Sequence, residues 1–123
     1  MSTIRVDNFG PSAGGTTYSA RGIAKAWVNF NGTGTIAARD SENVSSLTDN
    51  GSGDYMVNFS NAFGAADYAV LMTAGATDGS TCLCQSPFTT APTSSAAQLY
   101  VTNSVFSGTN RSRVQAAIYG DLA

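Results

Sequence analysis

The sequence predicts an all-β domain of about eight antiparallel strands, arranged as a β-sandwich or jelly-roll-like fold. Three observations lead there. Helix-building residues are scarce: the 123 residues include one lysine (Lys25), one glutamate (Glu42) and five leucines, the straight-chain types that solvent-exposed helices favour. Serine, threonine and asparagine supply 38 positions; threonine suits strands, while serine and asparagine suit turns. Short alternating segments, separated by Gly, Asn and Asp, recur roughly every ten to fifteen residues, the spacing of a sandwich or barrel.

Residues 4–7 form a predicted first strand. Residues 8–18 are rich in Gly, Ser and Thr and are broken by Pro11, which predicts a loop or extended arm. Residues 1–20 are therefore assigned to an N-terminal arm or attachment segment, and 21–123 to the sandwich. Over residues 23–30, Ala24, Ala26, Val28 and Phe30 share one face, and Ile23, Lys25, Trp27 and Asn29 the other. Both faces carry large apolar groups. The first is expected to meet the core, and Ile23, Lys25, Trp27 and Asn29 form the candidate subunit interface.

Asn31-Gly32 predicts a type I′ hairpin turn leading to a strand at 35–39. Val44 and Leu47 are irregularly spaced in 43–48, which predicts a bulge or an edge strand. Residues 49–53 are a second turn, and 54–59 alternate with Tyr55, Val57 and Phe59 inward. Phe63 is expected to plug the loop at 61–67. The apolar run 68–74 predicts a central strand buried on both faces. Asp78-Gly79 turns the chain into 81–85, and 86–95, with Pro87 and Pro92, is a surface loop. Leu99 and Val101 mark a strand at 97–103. A turn at 107–110 leads to the last strand, 113–119, with Val114, Ala116 and Ile118 alternating.

Composition argues against catalysis. The chain has no histidine, so neither a Ser-His-Asp triad nor a Cys-His pair can be assembled. Its eight acids lie beside small turn residues or at strand ends, as Asx-turn formers do. Residues 49–54 resemble the start of a calcium loop but lack the distant bidentate glutamate. Cys82 and Cys84 point the same way in a strand; two partly buried free thiols are expected ahead of a strained bridge or half of a metal site completed by a second subunit. No catalytic, cofactor or metal residue is assigned. Trp27 can be read as a platform for a sugar ring or as an interface anchor, and the anchor is favoured.

Net charge is −2, and the six basic residues, Arg5, Arg21, Lys25, Arg39, Arg111 and Arg113, are dispersed except for the last two. Nucleic-acid binding needs clustered cations, so nucleic acid is not an expected partner. No apolar run reaches the roughly 18 residues of a membrane-spanning helix, and no membrane insertion is expected. The N-terminus lacks a signal pattern, which predicts synthesis in a cytoplasm and release by lysis or within an assembled particle.

Residues 24–37 (AKAWVNFNGTGTIA), 43–55 (NVSSLTDNGSGDY), 57–59 (VNF) and 66–70 (ADYAV) together resemble a module of tailed bacteriophages, found at the ends of tail-fibre proteins and in small stand-alone virion proteins. Residues 2–7 (STIRVD) are similar to the short leader of the stand-alone members. The resemblance is close over 24–70 and loose elsewhere; Cys82, Cys84 and the proline-containing loop have no counterpart in its pattern. It implies a structural protein on the virion exterior, made in the host cytoplasm. The expected partners are other virion proteins and further copies of the chain, with a homotrimer expected, and a host surface glycan or protein.

Two roles follow. In a tail-fibre or receptor-binding module the host-facing loops are 76–80, 86–95 and 104–110, with candidate residues Asp78, Ser80, Phe88, Thr89, Thr90, Ser107, Thr109 and Asn110. In a capsid decoration (cement) protein, residues 1–20 clasp the head; the shortness of the chain suits this role, and the family's habit suits the first. A carbohydrate-binding or carbohydrate-active domain ranks behind both.

Overall fold

The computed structural model describes residues 2, 3, 5–10, 13–75, 79–85 and 90–123. Its strands are β1 (Asn8–Phe9), β2 (Tyr18–Ser19), β3 (Ala26–Asn31), β4 (Ala37–Glu42), β5 (Val44–Gly51), β6 (Asp54–Phe59), β7 (Ala69–Gly75), β8 (Leu83–Gln85), β9 (Ala96–Thr102) and β10 (Arg113–Tyr119). A three-residue 3-10 turn, Ala20–Gly22, is the one helical element among the described residues. The fold is all-β. Strands β3 to β10 form two four-stranded antiparallel sheets, ordered β4-β3-β10-β7 and β5-β6-β9-β8, while β1 and β2 pair as a separate ribbon.

The four central strands carry the core. Ala26, Val28 and Phe30 of β3 and Val114, Ala116 and Ile118 of β10 face Tyr55, Val57 and Phe59 of β6 and Ala97, Leu99 and Val101 of β9. All twelve are buried, and each larger apolar side chain contributes roughly 1.5–3 kcal/mol. Alternate residues of a strand point to opposite faces, so the sequence alternation places these residues directly. The edge strands give only partly buried groups, among them Val44, Leu47, Val70 and Met72. Phe63 plugs one end as expected, 4.8 Å from the Phe59 ring and 5.0 Å from that of Tyr68.

Several local expectations are corrected. The strand expected at 4–7 falls partly outside the described residues, and its described part, 5–7, is not a strand; pairing begins at Asn8 and meets Tyr18–Ser19, within the segment expected to form a loop or extended arm. Strand β3 begins at Ala26, so Ile23 and Lys25 precede it; the Lys25 ammonium instead donates to the Ala20 carbonyl at 2.8 Å. The β3–β4 hairpin exists, but its connection spans 32–36 rather than two residues. Asn31 Oδ1 accepts from the Thr33 amide at 3.2 Å and hydroxyl at 2.7 Å, an Asx turn, and the left-handed residue is Gly34. Strand β7 is an edge strand, not a central one: Leu71 on its outward face is 59% exposed. An apolar run does not separate a second buried face from an apolar row facing water. The spacing of Val44 and Leu47 is accounted for, since β5 is an edge strand with register shifts at both ends.

One end of the sandwich is locked by Tyr55. Its hydroxyl donates to the Gly32 carbonyl at 2.7 Å, with Asn110 Oδ1 also in reach at 3.0 Å. The same Asn110 oxygen accepts from the Gly53 amide at 2.7 Å, and the Gly32 amide donates to the Arg111 carbonyl at 2.9 Å. A Cβ on Gly32 would lie 2.5 Å from the Tyr55 oxygen, and one on Gly53 would overlap the Val101 carbonyl oxygen. Glycine is required at both positions by this close approach.

Burial raises the Tyr55 hydroxyl above its ordinary value of 10.0, aided by the Asp49 charge and opposed by a hydrogen bond from the Arg111 backbone. Burial likewise raises Tyr68, opposed by the Thr93 backbone, and raises the Cys84 thiol above 9.0, with Cys82 adding to the shift and the Ala74 backbone opposing it. In each case the folded state holds its proton more tightly than the unfolded chain. That stability is fully present below pH 9 and is lost as pH rises through 9 and 10 toward the raised values. The urea midpoint is expected to fall between about pH 9 and 10.5; a flat midpoint over that range contradicts the assignment.

Candidate functional site

The loop from β9 to β10, residues 103–112, is built to present its tip. Asn103 Oδ1 accepts from the Val105 and Ser107 amides, both at 3.0 Å, and the Asn103 carbonyl accepts from the Phe106 amide at 3.1 Å. These bonds close a turn that leaves Val105 and Phe106 outside it, 74% and 71% exposed. Phe106 adopts φ +59°, a left-handed conformation costly for a bulky residue, of order 1–3 kcal/mol.

The base of the loop is fixed from three sides. The Thr109 amide donates to the Val101 carbonyl at 2.9 Å. A Cβ on Gly108 would overlap the Ser52 carbonyl oxygen, so the β5–β6 turn packs directly on the loop. The buried Arg111 side chain donates through Nη2 to the Thr81 carbonyl at 3.0 Å, tying in the segment before β8. Asn110 is held by Tyr55 and Gly53, which fixes the base of the loop. Chemically, the tip offers a rigid apolar contact and no reactive group.

Register places the predicted loop residues. Leu83 pairs with Thr102 and Arg113 with Gly75, so Ser80, Ser107, Thr109 and Asn110 gather at the Tyr55 end. Thr90 precedes β9 at the opposite end. Asp78, Phe88 and Thr89 lie outside the described residues. Thr109 and Asn110, expected to face a receptor, also hold the loop through the bonds above, and Asn110 is exposed. Val105 and Phe106 were missed; the signal available was two adjacent large apolar residues inside a turn-rich segment.

Of the candidate interface, Trp27 and Asn29 lie on the outward face of β3, half-buried. They line a groove of about 670 Å³ with Leu71, Thr73, Gln115 and Ala117. Cross-strand pairing sets Trp27, Ala117 and Leu71 in one row and Asn29, Gln115 and Thr73 in the next; Ala117 is the low point between two larger side chains. Ile23 is 51% exposed and, like Lys25, is not among these lining residues. The alternation of residues 68–74 does not single out Leu71, because an exposed apolar row looks like a second buried face. A second groove of about 350 Å³ is lined by Asp67, Tyr68, Tyr119 and Asp121 among others.

Cys82 and Cys84 are free and half-buried. Among the described residues no group of three or more His, Cys, Asp or Glu side chains could hold a metal ion, and no helix is long and apolar enough to cross a membrane. Comparison with protein-family models, curated proteins and solved structures finds no match.

Glycine adopts the Phe106 conformation without strain but costs chain entropy on folding. Phe106→Gly is therefore expected to leave the unfolding free energy within about 1 kcal/mol of the native value, or to raise it. A loss above about 2 kcal/mol by urea titration would mean that the ring packs on the fold rather than standing free of it.

Proposed function

We propose that this chain is a non-catalytic structural module on the exterior of a bacteriophage virion, acting as a tail-fibre or receptor-binding domain. The observation that carries this reading is the Val105–Phe106 tip, an exposed apolar pair set in a strained turn on a rigid base. Strain kept in an exposed loop is a mark of function, and apolar side chains presented by a fixed scaffold are suited to anchoring in a partner's pocket. The resemblance of residues 24–70 to the phage module supports the virion setting. A chain without histidine lacks the usual base for turnover at neutral pH. The chemistry of the tip fits a host surface protein with an apolar pocket better than a bare glycan.

Capsid decoration is the second reading. It is favoured by the β1–β2 ribbon, a two-stranded sheet separate from the two sandwich sheets, which suits an arm that clasps a neighbouring protein.

The two readings separate on purified particles. Quantitative mass spectrometry is expected to find a few to a few dozen copies, located on the tail by immunogold labelling. Hundreds of copies on the head would assign decoration instead, and absence from the particle would overturn both. For the receptor role, the purified domain is expected to bind host cells, and replacing Val105 and Phe106 together by serine to weaken that binding roughly tenfold or more. Unchanged binding contradicts the role given to the tip.

A further inference from the structure

The groove on the outer face of the β4-β3-β10-β7 sheet is ordered in two rows of different chemistry. Trp27, Ala117 and Leu71 make an apolar row, and Asn29, Gln115 and Thr73 a polar one beside it. None of the six carries a charge. The polar row is only partly engaged by the protein. Asn29 Oδ1 accepts from Arg39 Nη1 at 3.4 Å, and Gln115 Oε1 accepts from the Thr73 hydroxyl at 3.3 Å. Among the described residues, no acceptor takes the Asn29 and Gln115 NH2 groups or the Trp27 indole N–H, and none of these three is sealed from solvent. On β4 the two rows end at Glu42 and Asp40, whose exposed carboxylates accept protons from hydroxyl groups.

Size separates a small ligand from a protein partner. Neighbouring strands lie about 4.8 Å apart and alternate residues of a strand about 6.8 Å apart, so the two rows cover roughly 10 by 7 Å. A stable protein interface takes about 800 Å² from each partner, many times that footprint. Charge also bounds the apolar surface, with Glu42 and Asp40 at the β4 end and Arg113 in the next row. The groove volume of about 670 Å³ falls instead within the roughly 300–1,000 Å³ of small-ligand sites.

We propose that this groove binds a neutral oligosaccharide, with one pyranose ring stacked on Trp27 and the next lying over Ala117 and Leu71. A pyranose carries C–H groups on its faces and hydroxyls around its rim. It therefore needs a flat apolar surface with hydrogen-bonding groups alongside, which is the arrangement of the two rows. Trp27 supplies the large apolar plane and a polar N–H at its edge. The Asn29 and Gln115 NH2 groups donate to hydroxyl oxygens, and Glu42 and Asp40 accept hydroxyl protons at the β4 end while disfavouring an acidic sugar. The apolar row ends at Leu71, 59% exposed on an edge strand, so a longer glycan continues past it. Trp27 is thereby a sugar platform rather than a subunit anchor. The groove shares no residue with the Val105–Phe106 tip, and the two assignments stand or fall separately.

Trp27 is the only tryptophan, so its indole N–H resonance reports on the groove alone. Titration of the 15N-labelled chain with cellobiose, maltose, lactose and N,N′-diacetylchitobiose is expected to shift that resonance saturably for at least one of them. No saturable shift with any of the four up to about 10 mM overturns the proposal. For a sugar that binds, Gln115→Leu keeps the side-chain size, removes the amide and is expected to weaken binding about threefold or more. A purely apolar site would bind as tightly or more so in this variant, and that result overturns the glycan assignment. Trp27→Ala, read at the Ala117 and Leu71 amides, is expected to weaken binding about tenfold or more. Leu71→Ser, at an exposed position, is expected to weaken it about threefold and carries the test if Trp27→Ala does not fold. Unchanged affinity in either folded variant overturns the placement on this row. An indole resonance that moves with protein concentration in the absence of sugar assigns the face to a second copy and overturns the proposal as well.

Discussion

The Tyr55 hydroxyl is the point on which one end of this molecule depends. The ring lies in the core, edge-on to Phe30 at 5.1 Å, while the oxygen emerges where three chain segments converge: the β3–β4 connection at Gly32, the β5–β6 turn at Gly53 and the β9–β10 loop at Asn110. A buried hydroxyl left without partners costs about 1–3 kcal/mol, and each of these main-chain groups would bear a similar cost if stranded. The cluster therefore persists as a unit or not at all. It also joins the two layers, because Gly32 follows β3 of one sheet and Tyr55 belongs to β6 of the other.

Division of labour between strands follows from the layering. Central strands β3, β10, β6 and β9 hold nearly all of the fully buried side chains, so stability resides there. Edge strands and loops contribute little burial and are free to carry function. One consequence is a contrast between neighbours on β3: Phe30 is wholly buried, whereas Trp27 rests on the outer face. Another is that polar side chains such as Asn31, Asn103 and Asn110, whose composition suggests only a wet surface, shape the loops by bonding backbone amides.

The fold class was legible because a two-residue period is a direct consequence of strand geometry; Tyr55, Val57 and Phe59, and likewise Val114, Ala116 and Ile118, are inward as their alternation indicates. Less legible was anything set by contacts distant in sequence. Nothing near Gly32 indicates that Tyr55 will occupy the space of its missing Cβ, so Asn31-Gly32 looks like a two-residue hairpin turn. Nothing near Asn110 indicates that its oxygen serves Gly53 rather than solvent. Leu71 is apolar whether or not a second layer covers it, so its sequence does not distinguish an edge strand from a central one. The candidate site suffered most, since Val105 and Phe106 become conspicuous only when the turn around them is seen to exclude them.

The functional account has one chain of cause: the Tyr55 cluster fixes Asn110, Asn110 and its neighbours fix the loop base, and the base presents Val105 and Phe106. The most direct test is the backbone 15N order parameter at Val105 and Phe106 in the native protein and in Tyr55→Phe. The account predicts values near 0.85 in the native protein, falling below about 0.6 once the hydroxyl is removed while the core strands stay rigid. Order parameters that are already low in the native protein, or that do not change in the variant, would contradict it.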